Sequence, residues 1–324
     1  DCMSKVVGLG TLADDISVSN GEVTINDLKP SQSMMFRNKI INGNFDIWQR
    51  GTSQTSNDYG SVDRWRLGNV GSSKTASQQS FTLGQTEVPG NPKYYLRHVV
   101  TSANGSGNLV VAFHRIEGVG TLAGKTATLS FWAKADSNKN IATEAEQTFG
   151  TGGSPSSSVN SIGVTTYSLT PSWQKFTTTI SIPSISGKTI GTDGNDYFQI
   201  IFWFEAGSTY NSRTNSLGNQ SGTFDIAQVQ LEEGTVATPF EHRPIGVELG
   251  LCQRYYQKIS GNLYGTQGSA SYAVWQFKET FRAQPTCTGN NSGSVVDYRN
   301  TDFVSCYYNG GYASWTNATA EAEL

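Results

Sequence analysis

Few residues in this chain stand where covalent chemistry would need them. It has three histidines, His98, His114 and His242, and no serine in a G-x-S-x-G context. The exposed nucleophile that this elbow presents is therefore missing. Glycoside hydrolysis needs two carboxylates flanking one bond, and they can be far apart in sequence. The 26 Asp and Glu neither supply nor exclude such a pair. Gly118, Gly120 and Ala123 match G-x-G-x-x-[GA], and Gly120, Gly124, Lys125 and Thr126 fall one residue short of a phosphate loop. Both motifs need a helix after the glycines to receive the phosphate. Here they run into TATLSFWAKA (126–135), which alternates like a strand, so a β-turn is expected. The four cysteines, Cys2, Cys252, Cys287 and Cys306, show no C-x-x-C spacing for zinc. Cys287 and Cys306 either face each other on neighbouring strands or act as unpaired apolar fillers. These patterns predict a non-enzymatic protein, with no cofactor and no metal assigned.

The aromatics carry more information, because an indole beside hydrogen-bonding groups suits a sugar ring. In TLSFWAKA, Leu129, Phe131 and Ala133 share one face, and Ser130, Trp132 and Lys134 the other. In FQIIFWFEA, Phe198, Ile200, Phe202 and Phe204 oppose Gln199, Ile201, Trp203 and Glu205. The Phe-rich faces are expected in a core. Trp132 and Trp203 would then form sugar platforms with Lys134, Glu205 and His114, or pack under a loop or another subunit. A second cluster, Tyr307, Tyr308, Tyr312 and Trp315, surrounds Asn309-Gly310-Gly311. It has the composition of recognition loops, or of a small aromatic core.

These side chains must be positioned by short strands. Only 15% of the residues are charged, and Gly is abundant, as in sheets with many turns. Net charge is −3, with no Lys/Arg cluster to follow a phosphate backbone, so nucleic acid is not an expected partner. The longest apolar runs, NLVVAF (108–113) and FQIIFWF (198–204), are too short to span a bilayer as helices, so no membrane insertion is expected. Residues 1–36 read as a connector or attachment segment. Residues 37–243 hold the strand-like pieces 39–48, 94–100, 108–116, 126–135, 173–182, 197–206 and 222–232, with no helical period, and 149–161 reads as a surface loop. This pattern predicts an all-β antiparallel sandwich. In NGNFDIWQRG (42–51), Phe45 and Ile47 alternate with Asn44, Asp46 and Trp48, predicting a first strand with Phe45 and Ile47 in the core. Residues 244–258 predict a linking helix opened by Pro244, with Ile245, Leu249, Cys252 and Tyr256 on one stripe. Residues 259–324 return to strands as a small β tip, which packing against sister chains would help to stabilise.

INGNFDIWQRGTS (41–53), then SVDRWRLG (61–68), resembles the N-terminal part of bacteriophage and prophage tail fibre proteins. FDIAQVQLEEGTVATPFEHRPIGVELGLCQRYYQK (224–258), FRAQPTCTG (281–289) and TNATAEAEL (316–324) resemble later parts of the same family. The resemblance implies a jelly roll like a carbohydrate-binding module, on a homotrimeric receptor-binding fibre in the virion tail, assembled in the host cytoplasm. Its implied partners are host surface polysaccharide, bound multivalently, and other tail proteins through residues 1–36. The alternatives are a tail or baseplate adaptor without a receptor site, or a depolymerase tailspike. In such modules a calcium can bridge the first and closing strands. Asp46 matches one ligand, but Ala227 and Gln228 stand where the closing strand usually offers two Asp, so no metal is assigned. Asp46 and Arg50 are expected to hold the strand end by hydrogen bonds or an ion pair, with Arg64 a further partner.

Overall fold

A computed structural model describes residues 16–19, 22–25, 36–264, 271–288, 295–308 and 312–324, with side chains for 36–259, 274–288, 298–305 and 318–324. It forms two compact units, Asp1–Arg37 and Asn38–Leu324. The first holds an antiparallel hairpin, β1 (Ile16–Ser19) and β2 (Glu22–Ile25).

Alternating apolar residues build the second unit as strands whose inner faces meet. These are β3 (Ser53–Gln54), β4 (Trp65–Val70), β5 (Ser73–Ser80), β6 (Tyr94–Thr101), β7 (Leu109–Glu117) and β8 (Thr126–Ala135). There follow β9 (Lys139–Thr148), β10 (Val159–Leu169), β11 (Gln174–Ser181), β12 (Tyr197–Ala206) and β13 (Gly222–Glu233). They make a five-stranded sheet, β10-β9-β12-β7-β4, and a six-stranded sheet, β11-β8-β13-β6-β5-β3, all antiparallel. The expected all-β jelly-roll sandwich is therefore what the chain forms. Phe131 from one sheet meets Phe202 from the other edge to face, with centroids 5.0 Å apart. His98 stacks on Phe204 at 4.2 Å.

Residues 39–48 are not the expected strand. Asn42 and Phe45 take φ values of +58° and +57°, which break an extended run. The Asn42 amide accounts for this turn. It accepts from the Ile47 N–H (3.0 Å) and donates to the Ile47 and Asp63 carbonyls (2.8 and 3.0 Å), offering the backbone an alternative to a ladder. Phe45 and Ile47 are nevertheless buried. The segment lies along β13: Lys39 N–H donates to Leu231 O and Val229 N–H to Gly43 O, both at 2.8 Å. A Cβ at Gly43 would stand 2.1 Å from Val229 O, so only glycine permits this approach.

Three further expectations change. The 149–161 loop ends early, because Val159 already begins β10. Residues 37–243 contain one helical turn, α1 (Asn211–Thr214), preceded by a 3-10 turn at Ser208–Tyr210. The linking helix α2 (Ile245–Gln253) stops short of Lys258. Its predicted stripe is divided: Ile245 is 60% exposed, Cys252 is buried, and Tyr256 already belongs to a strand. The glycines at 118–124 lie in successive turns that feed β8, with no helix after them to cradle phosphate.

Past α2 come β14 (Tyr256–Tyr264), β15 (Ser271–Gln276), β16 (Thr286–Thr288), β17 (Val295–Arg299), β18 (Phe303–Tyr308) and β19 (Tyr312–Glu321). They form two three-stranded sheets, β14-β19-β16 and β15-β18-β17. Cys287 and Cys306 fall in different sheets, and Cys287 is a free thiol. A small core of Ile259, Phe281, Val304, Ala318 and Ala320 holds this part together. Arginines clamp it to the sandwich. Arg50 pairs with Asp63 at 3.3 Å and with Glu323 at 2.9 Å, and stacks on Tyr256 at 3.8 Å. Arg64, fully buried, pairs with Glu323 and stacks on Tyr255 at 3.3 Å. Arg50 and Arg64 thus join two parts of the molecule rather than ending a strand. Asp46 accepts a hydrogen bond from Asn44 at 2.8 Å.

Candidate functional site

The outer face of the six-stranded sheet gathers the side chains that can meet a ligand. Strand register sets them in rows. Lys175 on β11 and Ala227 on β13 flank Trp132 on β8, and Asp225 stands between Lys134 on β8 and Arg97 on β6. Residues paired across antiparallel strands point to the same side, so each row is a strip of one surface. Ala227 is small and keeps the floor low beside the indole.

Aromatic side chains continue this surface. Phe81 and Tyr95 lie 4.8 Å apart, and each lies within 5.3 Å of the Trp173 ring. Val88, Trp173 and Ala227 form a buried cluster, and half-buried Trp132 packs against it. Lys134 Nζ sits 5.2 Å over the Trp173 ring, a cation–π contact that fixes its chain along the face. Arg97 grips Asp225 with two bonds of 2.7 and 2.8 Å, which raises the guanidinium pKa. Burial, with the Asp225 charge adding, pushes the Tyr95 phenol up and keeps it protonated.

Beside Trp132 the surface deepens into a cleft of about 470 Å³. Its floor is Ser130, Trp132, Lys175 and Gln228; its walls are Pro89-Gly90 and the Ala237–His242 stretch. A bulge in β13 after Ala227 turns Gln228 to φ +48°, and its amide donates to Pro89 O at 2.7 Å, tying floor to wall. Phe240 and His242 meet edge to face at 5.1 Å. Gly90, at φ +79°, lets the walls close: a Cβ there would lie 2.5 Å from His242 Nε2. Among the described residues no Asp or Glu lines the cleft, so the carboxylate pair that glycoside hydrolysis needs is not in it.

Of the described residues singled out from the sequence, Trp132 and Lys134 share this face, and Trp203, Glu205 and His114 do not join them. Trp203 is only 2% exposed. The chain after β12 folds back over it, closed by Ala206 N–H donating to Gly218 O at 3.1 Å, and brings Tyr210 to 5.2 Å. The Trp203 indole N–H donates to Glu144 at 3.2 Å, and Arg213 pairs with Glu144 and Glu146 at 2.6 and 2.9 Å. Trp203 therefore packs under a loop and offers no platform. Glu205 is fully buried beyond the β12 bulge, where the Ser72 and Ser102 hydroxyls donate to it. His114 points inward rather than outward. It lies in the core against Trp65, edge to face at 5.1 Å, with Nε2 3.1 Å from the Ile41 N–H. Burial holds its pKa well below the ordinary value. Tyr307 and Tyr308 lie on β18, Tyr312 and Trp315 on β19, and their side chains lie outside the described residues.

Trp173 and Lys175 were missed although the sequence signals them. They alternate outward at the start of WQKFTTTISI, as Trp132 and Lys134 do in their strand. Phe240 and His242 come from an irregular stretch with no period, and only the fold brings them to Trp132.

No protein-family model matches the chain, and no curated protein matches it in sequence. Similar solved structures include a CBM4 structure (20% identity, 60% of this chain and 99% of that one, TM-score 0.32). A family 11 carbohydrate-binding module from Clostridium thermocellum, in complex with a mixed-linked tetrasaccharide, is also similar (14% identity, 57% and 98%, TM-score 0.32). So is the enzymatically active domain of bacteriophage CBA120 tailspike protein 4 (13% identity, 61% of this chain but 22% of that one, TM-score 0.36). These TM-scores lie below 0.5, so function has to be read from this molecule's own side chains.

Proposed function

We propose that this chain is a non-catalytic glycan-binding protein that seats a saccharide in the Trp132 cleft. The observation that carries this reading is a partly buried indole lining a cleft of about 470 Å³, with a hydroxyl, an amide, an ammonium and an imidazole around it. That volume lies within the roughly 300–1,000 Å³ of small-molecule sites. The C–H face of a pyranose stacks on the indole, and its hydroxyls reach Ser130, Gln228 and His242 at the edge. Sequence resemblance to tail fibre proteins supports a setting for this binding: host attachment by a homotrimeric phage tail fibre, where several weak sites add up to high avidity.

A glycan array probed with the intact chain, Trp132→Ala and Trp203→Ala tests the proposal. Saccharide binding by the intact chain and by folded Trp203→Ala, lost in Trp132→Ala, is the expected result. An intact, folded chain that binds no glycan would favour a structural adaptor instead.

A further inference from the structure

We infer that the cleft selects an acidic saccharide, one bearing a carboxylate or a phosphate; this rests on the glycan-binding reading above. Charge arrangement carries the inference. Lys175 lines the cleft and is exposed, and Lys134 lies along the same face, next to Trp173. Neither forms an ion pair among the described residues. No carboxylate of the sheet pairs with either of them among the described residues. Two carboxylates of β13 point to this side: Asp225 is neutralised by an arginine, and Glu232 keeps its charge but is held by neutral donors. Asp225 is held by Arg97 through both oxygens, at 2.7 and 2.8 Å. Glu232 accepts from Gln230 at 2.8 Å and from the backbone and hydroxyl of Thr238 at 2.9 and 2.7 Å. With no Asp or Glu lining the cleft, a bound anion meets no like charge there.

The geometry matches a sugar with a charged substituent. Stacking on Trp132 sets the ring plane, and Lys175, in register with Trp132 on the neighbouring strand, stands at the ring's edge. An ammonium on a four-carbon stem is a mobile point charge that serves carboxylate and phosphate alike. A neutral sugar leaves Lys175 to water, whereas an acidic one gains a charge-assisted hydrogen bond.

Calorimetric titration of the full chain with matched pairs tests this: trigalacturonate and its carboxyl-reduced form, sialyllactose and lactose, and 6-phosphomannose-capped trimannose and trimannose. The expected result is tighter binding of an acidic member by about tenfold at low salt, narrowing as salt rises. The pair that responds distinguishes carboxylate from phosphate. Lys175→Gln should remove most of that preference, weakening the acidic member more than the neutral one, and Trp132→Ala should weaken both members. Equal binding within each pair, both members weakened by Trp132→Ala, overturns the acidic preference and leaves the glycan reading standing. Acidic binding that Lys175→Gln abolishes but Trp132→Ala leaves intact places the anion outside the cleft and overturns the inference. If no member of any pair binds, both readings fail.

Discussion

Two tryptophans, Trp132 and Trp203, sit in equivalent surroundings in the sequence and end in opposite ones in the molecule. Each stands mid-strand on the face opposite a core strip, with a charged residue two positions on, Lys134 and Glu205. On the six-stranded sheet, the flanking chain rises at the sides and leaves Trp132 lining a cleft. On the five-stranded sheet, the chain leaving β12 folds back and covers Trp203. A strand's period tells which way a side chain points; the next loop decides what it meets.

Substitutions can sharpen that contrast. Trp203→Ala should give the largest loss, about 3–5 kcal/mol of stability in denaturant unfolding, with glycan affinity of the folded fraction unchanged. Loss of affinity without loss of stability would reverse the two roles.

Acid should strain the core that both faces share. His98 is fully buried with neither ring nitrogen hydrogen-bonded, and burial depresses its pKa to about 3. The unfolded chain then binds more protons between pH 3 and the free value near 6.5. Its contribution is present above about pH 6.5 and drains as pH falls towards 3, at up to about 1.4 kcal/mol per pH unit. Asp63, raised to about 6 by burial, works in the opposite sense, losing stability as pH rises through that value. The difference in unfolding free energy between the wild type and His98→Phe across this range isolates the histidine: the substituted chain should show the shallower acid slope.

Trp132→Ala should cost binding about tenfold or more, with a smaller loss of stability than Trp203→Ala. A smaller loss of binding than from Trp132→Ala is expected from Gly90→Ala. A left-handed alanine costs about 1–2 kcal/mol, and its methyl would push His242 aside, so the cleft should bind more weakly in titration.

Much of this was legible in the chain. TATLSFWAKA and YFQIIFWFEA are β8 and β12 residue for residue, because two-residue alternation survives into a sandwich. Residues 39–48 misled for a local reason: the Asn42 side chain supplies hydrogen bonds that make a turn compete with a strand. Strands β9 and β10 went unread because KNIATEAEQT and VNSIGVTTYSL are polar and small, and neighbouring strands, not propensity, hold them extended. Of the candidate site, Trp132 was visible, with Lys134 beside it on the same face. Its walls come from stretches about 150 residues apart, Pro89-Gly90 and Ala237–His242, which no local pattern connects.

The arginine clamp gives the molecule an order of events. Arg64 is buried in the first part of the sandwich, but its carboxylate partner is Glu323. During synthesis, the sandwich strands emerge long before that partner exists. Until then the guanidinium must wait in water or be buried without a counter-charge, which is costly. Within the sandwich Arg64 has the Arg115 carbonyl at 2.7 Å but no carboxylate, so this corner is expected to close fully only once Glu323 has been made.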